Sequence, residues 1–290
     1  MWRAVDIEAM RDFVFRSPSL DLGCGDGIFS FIRAGGRFDE RFDAFRAMSS
    51  LESFFDNADV FDHFDASVSP GVVKPPDYQI DIGFDHKENL LKKAGLLGLY
   101  KETTVGDANQ PLPFADASFS SVFSNIVYWL DEPSNMLAEI RRVLKPGGTA
   151  CLMLPNTTLP DYSLYNQLHF KPQDAKWGFL SQLDRGRFGD NIKHALSDGA
   201  WRQYFAEAGL NAVHHKRHLS KLLIQIWDIG LRPLFPVLLK MVDQVPAENL
   251  SAIKQSWIET LRHFLAPMVA MDDVLGQAAE PGFHCYIVAR

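Results

Sequence analysis

The sequence predicts a doubly wound α/β fold with a mostly parallel sheet, and three observations support this prediction. A glycine-rich turn at residues 23–27 follows a short apolar segment and precedes a segment with helical spacing. Segments with strand and helix periodicity then alternate through the first half of the chain. A Lys-Pro-Gly-Gly sequence at 145–148 separates a predicted helix from an apolar strand. Such alternation is typical of a sheet with helices on both faces.

The individual elements follow from periodicity and from turn signals. The predicted strands cover residues 19–22, 78–84, 119–126, 149–154, 210–218 and 283–289. The predicted helices begin after Gly27, cover residues 88–97, start at Pro133, and start again after Ser197, which is a suitable N-cap. Two insertions, at about 35–77 and 220–280, are predicted to be partly helical. We expect a single domain over residues 1–290.

The second insertion is predicted to contain an amphipathic helix. One face of this helix would carry Ile253, Trp257, Ile258, Leu261 and Leu265. The apolar residues at 231–238 are interpreted as a helical cap or a dimer contact, and both interpretations are favoured over membrane docking. A homodimer is therefore one expected assembly.

Composition and charge exclude several kinds of partner and location. The formal net charge is -7 and the pI is about 5.7, so the basic field that attracts nucleic acid is absent. The three cysteines, Cys24, Cys151 and Cys285, are far apart in sequence, so we expect reduced thiols and no metal site. Residues 1–11 lack the apolar core of a signal peptide, and charges and prolines interrupt the apolar segment 222–242. These features predict a cytoplasmic protein without stable membrane insertion.

The glycine-rich turn has the chemistry of an anion-binding loop. Glycines let the backbone approach a ligand closely, and the following helix directs N–H groups and a positive dipole end at the ligand's anionic part. The spacing differs from the dinucleotide fingerprint, because Ile28 lies where the third glycine would be. A nicotinamide oxidoreductase is therefore disfavoured.

Three further segments follow the glycine loop Asp21–Gly27 in a fixed order. They are Gly83–Leu91, which contains Asp85; Gly106-Asp107-Ala108 with the following Leu112-Pro113-Phe114; and Glu139–Gly148. With these four segments the chain resembles the class I S-adenosylmethionine-dependent methyltransferases, in particular the small-molecule methyltransferases of type 11. The resemblance implies a seven-stranded, Rossmann-like methyltransferase fold. It also implies S-adenosylmethionine as cofactor and S-adenosylhomocysteine as product.

The resemblance also implies a role for each cofactor-binding position. Asp21 would position the cofactor's ammonium group, directly or through water, and the glycine loop would hold its methionine portion. Asp85 would accept hydrogen bonds from both ribose hydroxyls, with Asp81 as the fallback if the strand ends sooner. Asp107 would accept from the adenine amino group, and the Ala108 amide would donate to a ring nitrogen. The candidate cofactor residues are thus Asp21, Gly23, Cys24, Gly25, Asp26, Gly27, Asp85, His86, Asp107, Ala108 and Asn125.

The acceptor is expected at the carboxyl ends of the strands, where open α/β sheets form their crevice. The candidate substrate residues there are Tyr128, Trp129 and Asn156, although helix-start packing is an equally good interpretation of the two aromatic residues. No catalytic base can be assigned from sequence. The weak candidates are His194, His214, His215 and Tyr128.

A fainter resemblance concerns the acceptor. Residues 125–129 and 227–233 are similar to methyltransferases of polysaccharide and natural-product biosynthesis. This implies a small-molecule acceptor, namely a sugar, a lipid-linked sugar or another secondary metabolite, methylated by direct in-line displacement. The alternative hypothesis is a regulatory module that binds S-adenosylmethionine and transfers nothing.

Overall fold

The structure is a computed structural model, and it describes residues 1–39, 71–178, 192–228 and 244–290, together with residues 180, 189 and 241. Most of the first predicted insertion, residues 40–70, lies outside the described residues. The apolar residues 231–238, interpreted above as a cap or dimer contact, also lie outside them.

The described part of the chain contains a seven-stranded sheet and a separate two-stranded one. The strands are β1 (Ser19–Leu22), β2 (Arg37–Phe38), β3 (Val72–Lys74), β4 (Ile80–Asp85), β5 (Tyr100–Val105), β6 (Phe119–Ser124), β7 (Leu144–Pro155), β8 (Asn211–His218) and β9 (Phe283–Ala289). The large sheet has the order β5-β4-β1-β6-β7-β9-β8, and the pairs β4–β5, β1–β4, β1–β6 and β6–β7 are parallel. This sheet confirms the predicted fold class.

Four helices, at residues 28–33, 88–95, 133–143 and 198–207, lie close to predicted positions, and the helices at 2–9 and 159–162 were not predicted. The helices are α1 (Trp2–Ala9), α2 (Ile28–Arg33), α3 (Glu88–Gly95), α4 (Pro133–Val143), α5 (Leu159–Tyr162), α6 (Asp198–Glu207), α7 (Lys221–Ile226) and α8 (Ala247–Ala278). Pro133 is the first residue of α4, as predicted. The Ser197 hydroxyl accepts a hydrogen bond from Ala200 N at 3.3 Å, which confirms Ser197 as the residue that caps α6.

The chain divides into two compact units. The first, here called the sheet unit, comprises residues 12–153, 201–214 and 286–290, and the second, the helical unit, comprises residues 1–11, 154–200 and 215–285. Buried aromatic and aliphatic side chains of helices and strands form the core of the sheet unit, among them Phe31 on α2, Phe84 on β4, Phe123 on β6 and Phe205 on α6.

Helix α8 is the longest element of the helical unit. Ile253, Trp257, Leu261 and Leu265 are half-buried on it, as the predicted amphipathic face requires. Ile258 is 45% exposed although it is seven positions before Leu265, so it lies at the exposed margin of that face.

Strand β5 was missed in the sequence because Lys101, Glu102, Thr103 and Thr104 show no apolar alternation. It is an edge strand, and polar residues are common on such strands. The three cysteines are free thiols, and Cys151 and Cys285 are buried, as predicted. Within the described ranges we find no helix with the length and apolar character needed to span a membrane.

Candidate cofactor site

The register of the sheet brings the candidate cofactor segments to one edge. Leu22, the last residue of β1, pairs with Phe84 on one side and with Ser124 on the other. Asp85 pairs with Val105, the last residue of β5. Parallel strands that end in register place the segments after them side by side. The glycine loop, Asp85 and the residues after β5 and β6 therefore lie at the carboxyl edge of one sheet.

The glycine loop is attached to the end of β4. The backbone N–H groups of Gly23 and Cys24 both donate to the carbonyl of Phe84, at 2.8 and 3.0 Å. Gly25 N then donates to Asp85 Oδ2 at 2.9 Å. The loop and the candidate ribose-binding acid thus form one hydrogen-bonded unit.

Gly25 and Gly27 serve different purposes in this loop, although both have positive φ. A β-carbon at Gly27 would lie 2.9 Å from Tyr100 Cε2, so this glycine is required for packing beneath the loop. Among the described residues, a β-carbon at Gly25 would meet only Leu90 Cδ1, at 4.0 Å. No other part of the described chain fills the space above Gly25, so a ligand can approach the backbone there. This opening fits the amino-acid portion of S-adenosylmethionine.

Asp85 retains acceptor capacity for a ligand. It is only 8% exposed, and Oδ2 accepts from Gly25 N while Oδ1 accepts from Lys87 N at 2.9 Å. A carboxylate offers about four lone-pair sites, so two backbone donors leave room for two hydroxyl donors. His86 is exposed, with Nδ1 3.4 Å from Asp85 Oδ1. The fallback residue Asp81 lies at the opposite end of β4.

Asp107 lies after β5, on the segment that the resemblance assigns to adenine. Gly106 N donates to the carbonyl of Asp85 at 3.0 Å, which connects this segment to β4. The Asp107 side chain is exposed, and its Oδ1 accepts from Asn109 N at 2.8 Å. Ala108 is 9% exposed. Among the described residues, Asp107 Oδ2 has no hydrogen-bond donor, and it lies next in sequence to the buried Ala108.

Asp21 does not face the open side of the loop. It is 1% exposed, and its Oδ2 accepts from the Ser30 hydroxyl at 2.5 Å and from the Tyr100 hydroxyl at 2.7 Å. Burial raises the Asp21 pKa to about 6, although the hydrogen bonds from Ser30 and Tyr100 oppose this shift. The role that the resemblance implies for Asp21, to position the cofactor ammonium directly or through water, stays a prediction. The Asp21 carboxylate connects β1 to α2 through Ser30 and to β5 through Tyr100.

Tyr100 is the site-supporting residue that the sequence did not identify. Its ring lies against Gly27 and also against Gly83, where a β-carbon would come within 2.9 Å of Tyr100 Cδ1. Its hydroxyl donates to Asp21. No sequence signal indicated it, because the strand that carries it has no strand-like pattern.

Two other loop residues have local structural contacts. Asp26 Oδ1 accepts from Ile28 N at 3.1 Å, so one of the helix N–H groups expected to face a ligand is already bonded. Cys24 is half-buried, and burial raises the pKa of its thiol well above the usual value. The thiol is therefore neutral at physiological pH.

The residues after β6 also lie at this edge. A β-carbon at Gly23 would lie 2.5 Å from Ile126 Cγ2, so this segment packs directly on the glycine loop. Asn125 is half-buried. Tyr128 is 6% exposed and Trp129 is 48% exposed, with ring centroids 5.5 Å apart. Trp129 thus offers an accessible aromatic surface, whereas the burial of Tyr128 favours the packing interpretation.

The remaining acceptor candidates are distributed between the units. Asn156, in the helical unit, is 2% exposed, and its Nδ2 donates to the Pro281 carbonyl at 2.9 Å while Oδ1 accepts from Thr157 N. His194 is half-buried in the same unit. The Asn156 amide is thus engaged in bonds to its own unit.

The two adjacent histidines of β8 belong to different units. His214 lies in the sheet unit, where its Nε2 is 3.4 Å from Asp12 Oδ2. His215 lies in the helical unit, and its Nε2 is 3.0 Å from His284 Nδ1. Burial lowers the pKa of His284 to about 3, so His284 is neutral at physiological pH. Each of the two candidate bases, His214 and His215, therefore has a polar partner within its own unit.

Comparison with known proteins agrees with this geometry. Residues 78–152 match the family model described as a methyltransferase domain. The matched segment contains Asp85, Asp107 and the Glu139–Gly148 sequence, and it begins after the glycine loop.

Two curated relatives are similar over part of their length. The ubiquinone/menaquinone biosynthesis C-methyltransferase UbiE of Desulfotalea psychrophila is 32% identical over 159 residues, which cover 51% of this chain and 62% of that protein. Malonyl-[acyl-carrier protein] O-methyltransferase 1 of Coxiella burnetii is 39% identical over 83 residues, which cover 28% of this chain and 26% of that protein. The chain thus spans less than two thirds of either relative.

A solved structure shares the fold. The crystal structure of a methyltransferase from Thermotoga maritima, described as S-adenosylmethionine-dependent and a possible histamine N-methyltransferase, has a TM-score of 0.50 and 13% identity. The similarity covers 99% of this chain and 88% of that one. By its fold and by the matched segment, the chain is similar to the class I S-adenosylmethionine-dependent methyltransferases.

Proposed function

We propose that this protein transfers a methyl group from S-adenosylmethionine to a small-molecule acceptor. One observation carries the proposal: the register of β1, β4 and β5 unites an open glycine loop, a carboxylate with spare acceptor sites and an exposed second carboxylate. The cofactor, when bound, supplies an electrophilic methyl carbon, so the protein needs no covalent intermediate. The protein's own residues would bind the cofactor, orient the acceptor and exclude water.

Each group of the cofactor has a matching position. The backbone around Gly25 would hold the amino-acid portion, Asp85 would accept from the ribose hydroxyls, and Asp107 would accept from the adenine amino group. Carboxylates suit the last two positions because an ionised carboxylate only accepts hydrogen bonds and the ribose hydroxyls and the adenine amino group donate them. Asp21 and Tyr100 act indirectly, by holding the loop from beneath.

The acceptor belongs in our proposal to the small biosynthetic molecules. Trp129 supports this, because an exposed aromatic ring beside the carboxyl edge offers a flat surface to a small ring or chain. The name of one curated relative describes C-methylation in ubiquinone and menaquinone biosynthesis, and that of the other describes O-methylation of malonyl-[acyl-carrier protein]. A sugar, a lipid-linked sugar or another secondary metabolite remains the proposed acceptor, and we propose that both units belong to one methyltransferase domain.

A transfer assay with isotopically labelled methyl groups tests this proposal. Purified protein is incubated with methyl-labelled S-adenosylmethionine and fractionated small-molecule extracts, and products are analysed by mass spectrometry. We expect one class of metabolite to gain a single labelled methyl group. Cofactor binding without any labelled product across the fractions would favour the regulatory module instead.

A binding comparison tests the cofactor class separately. We expect S-adenosylhomocysteine to bind in calorimetry and NAD to show no heat of binding under the same conditions. Preferential binding of NAD would contradict the proposed function and favour an oxidoreductase.

A further inference from the structure

Arg142 lies in the last turn of α4, and its side chain is 29% exposed. An arginine guanidinium carries five N–H donors in a planar fork. All five are used here, at distances between 2.7 and 3.0 Å. Such complete use of the donors defines both the position and the orientation of the groups around the guanidinium.

Two of these donors bind a carboxylate on the same helix. Nε and Nη2 donate to the two carboxylate oxygens of Glu139, each at 2.7 Å. Bidentate pairing of this kind is stronger and more directional than a single charged hydrogen bond. The pair forms a fixed platform on α4.

The other three donors bind the segment between β5 and β6, residues 106–118, here called the adenine loop. Nη1 donates to the Phe114 carbonyl at 2.7 Å and to Asp116 Oδ1 at 2.9 Å. Nη2 donates to the Leu112 carbonyl at 3.0 Å, and Leu112 N donates to Glu139 Oε2 at 2.8 Å. Both backbone polar groups of Leu112 are thus bound by the Glu139–Arg142 platform.

The adenine loop also contacts the strand that carries Asp85. The Phe114 ring packs edge-on against Phe84, with centroids 5.9 Å apart. A β-carbon at Gly106 would lie 2.6 Å from the Phe84 ring, so the start of the loop presses on the same side chain. Asp107 therefore lies on a segment held near its beginning by Phe84 and farther along by Arg142.

We propose that Arg142 is a positioning residue that sets the place of Asp107 and Ala108, and so determines selectivity for the adenine base of the cofactor. This inference rests on the proposed function. Arg142 touches no part of the cofactor in this account and acts only through the loop. The Glu139–Gly148 sequence thereby acquires a role beyond ending a helix and starting a strand.

Arg142→Lys tests the proposal because it retains the charge and removes the fork. A lysine ammonium has three donors around one nitrogen and cannot bind Glu139, Leu112 and Phe114 in the same plane. Arg141→Lys is the matched control, because Arg141 is exposed on the same helix and makes no hydrogen bond to the loop among the described residues. Both variants have the same net charge as the wild type.

The ligand readout is base discrimination, which general destabilisation would not alter. Binding is measured for S-adenosylhomocysteine and for its 6-oxo analogue, S-inosylhomocysteine, which lacks the amino group that Asp107 would recognise. In Arg142→Lys we expect about tenfold weaker binding of S-adenosylhomocysteine, the scale of one charge-assisted hydrogen bond, and a ratio between the two ligands close to one. Arg141→Lys should retain the wild-type ratio.

Hydrogen exchange of the ligand-free proteins supplies an independent readout. In Arg142→Lys we expect lost amide protection at residues 109–118, with unchanged protection in β1, β4 and β6. Retained loop protection, or an unaltered ratio between the two ligands, would overturn the proposal. If the wild-type protein binds neither ligand, the proposed function fails, and the exchange measurement still decides whether Arg142 holds the loop. If Arg142→Lys does not fold, Glu139→Gln provides the same two readouts.

Discussion

Asp81 and Asp85 lie near opposite ends of the same strand, β4, and their carboxylates have different surroundings. Asp81 Oδ2 accepts from both the backbone N–H and the hydroxyl of Ser19, and Asp81 Oδ1 lies 2.6 Å from Lys101 Nζ. Asp85 accepts from two backbone N–H groups and lies beside the open space at Gly25. The first acid joins β1, β4 and β5, whereas the second retains acceptor sites for a ligand.

The difference extends along both edges of the sheet. At the amino edge, the Ser121 hydroxyl accepts from Arg16 N at 2.8 Å and donates to the Arg16 carbonyl at 2.9 Å. Polar groups there satisfy one another. At the carboxyl edge, Asp107 is exposed and Trp129 is half-exposed. Substitutions at the amino edge should therefore affect stability, and substitutions at the carboxyl edge should affect binding.

Replacement of Asp85 should have the largest effect. Asp85→Ala removes the acceptor for both ribose hydroxyls, and each lost charge-assisted hydrogen bond costs about 1.5–3 kcal/mol. We expect at least about 100-fold weaker binding of S-adenosylhomocysteine in calorimetry. Asp81→Ala is the control on the same strand and should retain wild-type affinity. Equal affinities in the wild type and Asp85→Ala would remove Asp85 from the site.

Asp21 should give a pH-dependent effect on stability. Its pKa is raised to about 6 by burial, so its favourable contribution is complete below the unfolded-state value near 4 and is lost as pH rises through 6. The free energy of unfolding of the wild type, relative to Asp21→Asn, should fall by about 3 kcal/mol between pH 4 and pH 7. Urea denaturation at several pH values measures this difference. A difference that does not vary with pH would contradict the buried position of Asp21.

Asp81 should give the opposite pH dependence. The free energy of unfolding of the wild type, relative to Asp81→Asn, should rise by about 2 kcal/mol between pH 2 and pH 4. Burial raises the Asp81 pKa, but the hydrogen bonds from Lys101 and Ser19 together outweigh this effect, and the pKa is lowered to about 2. Its contribution is therefore present above pH 4 and lost as pH falls towards 2. Asp81→Asn should be less stable than the wild type at pH 6, and this difference should shrink in acid. The same slope for Asp21→Asn and Asp81→Asn would show that the two edges do not differ as described.

Replacement of Asp107 should have the smallest effect of the four. Asp107→Ala removes one hydrogen bond to the adenine amino group, which corresponds to about tenfold weaker binding of S-adenosylhomocysteine. Because the side chain is exposed, the free energy of unfolding should remain within about 0.5 kcal/mol of the wild type. A loss of stability without a loss of affinity would assign Asp107 to turn formation only.

The sequence predicted the carboxyl edge better than the contacts that support it. The place of the glycine loop and of Asp85 at this edge could be predicted, because a glycine-rich turn and an acid at a strand end can be recognised in the sequence; their roles in cofactor binding stay predictions. Tyr100 could not, because its role depends on three-dimensional proximity to Gly27, Gly83 and Asp21. The burial of Asp21 could not be predicted either, because the residue type does not show whether the carboxylate faces a ligand or the Tyr100 hydroxyl.

The acceptor residues were harder to predict for a different reason. Asn156 directly follows strand β7, as Asn125 directly follows β6, so the sequence alone does not distinguish the two. The Asn156 amide, however, binds the Pro281 carbonyl, a residue 125 positions away in sequence. Single histidines on β8 likewise carry no sequence mark that distinguishes a base from one paired with His284 or Asp12.

A crystal structure of the protein with S-adenosylhomocysteine would show where the cofactor binds. We expect the amino-acid portion over Gly25, the ribose hydroxyls within hydrogen-bond distance of the Asp85 carboxylate, and the adenine beside Asp107. Ligand density elsewhere, with the space above Gly25 filled by protein side chains, would contradict the account.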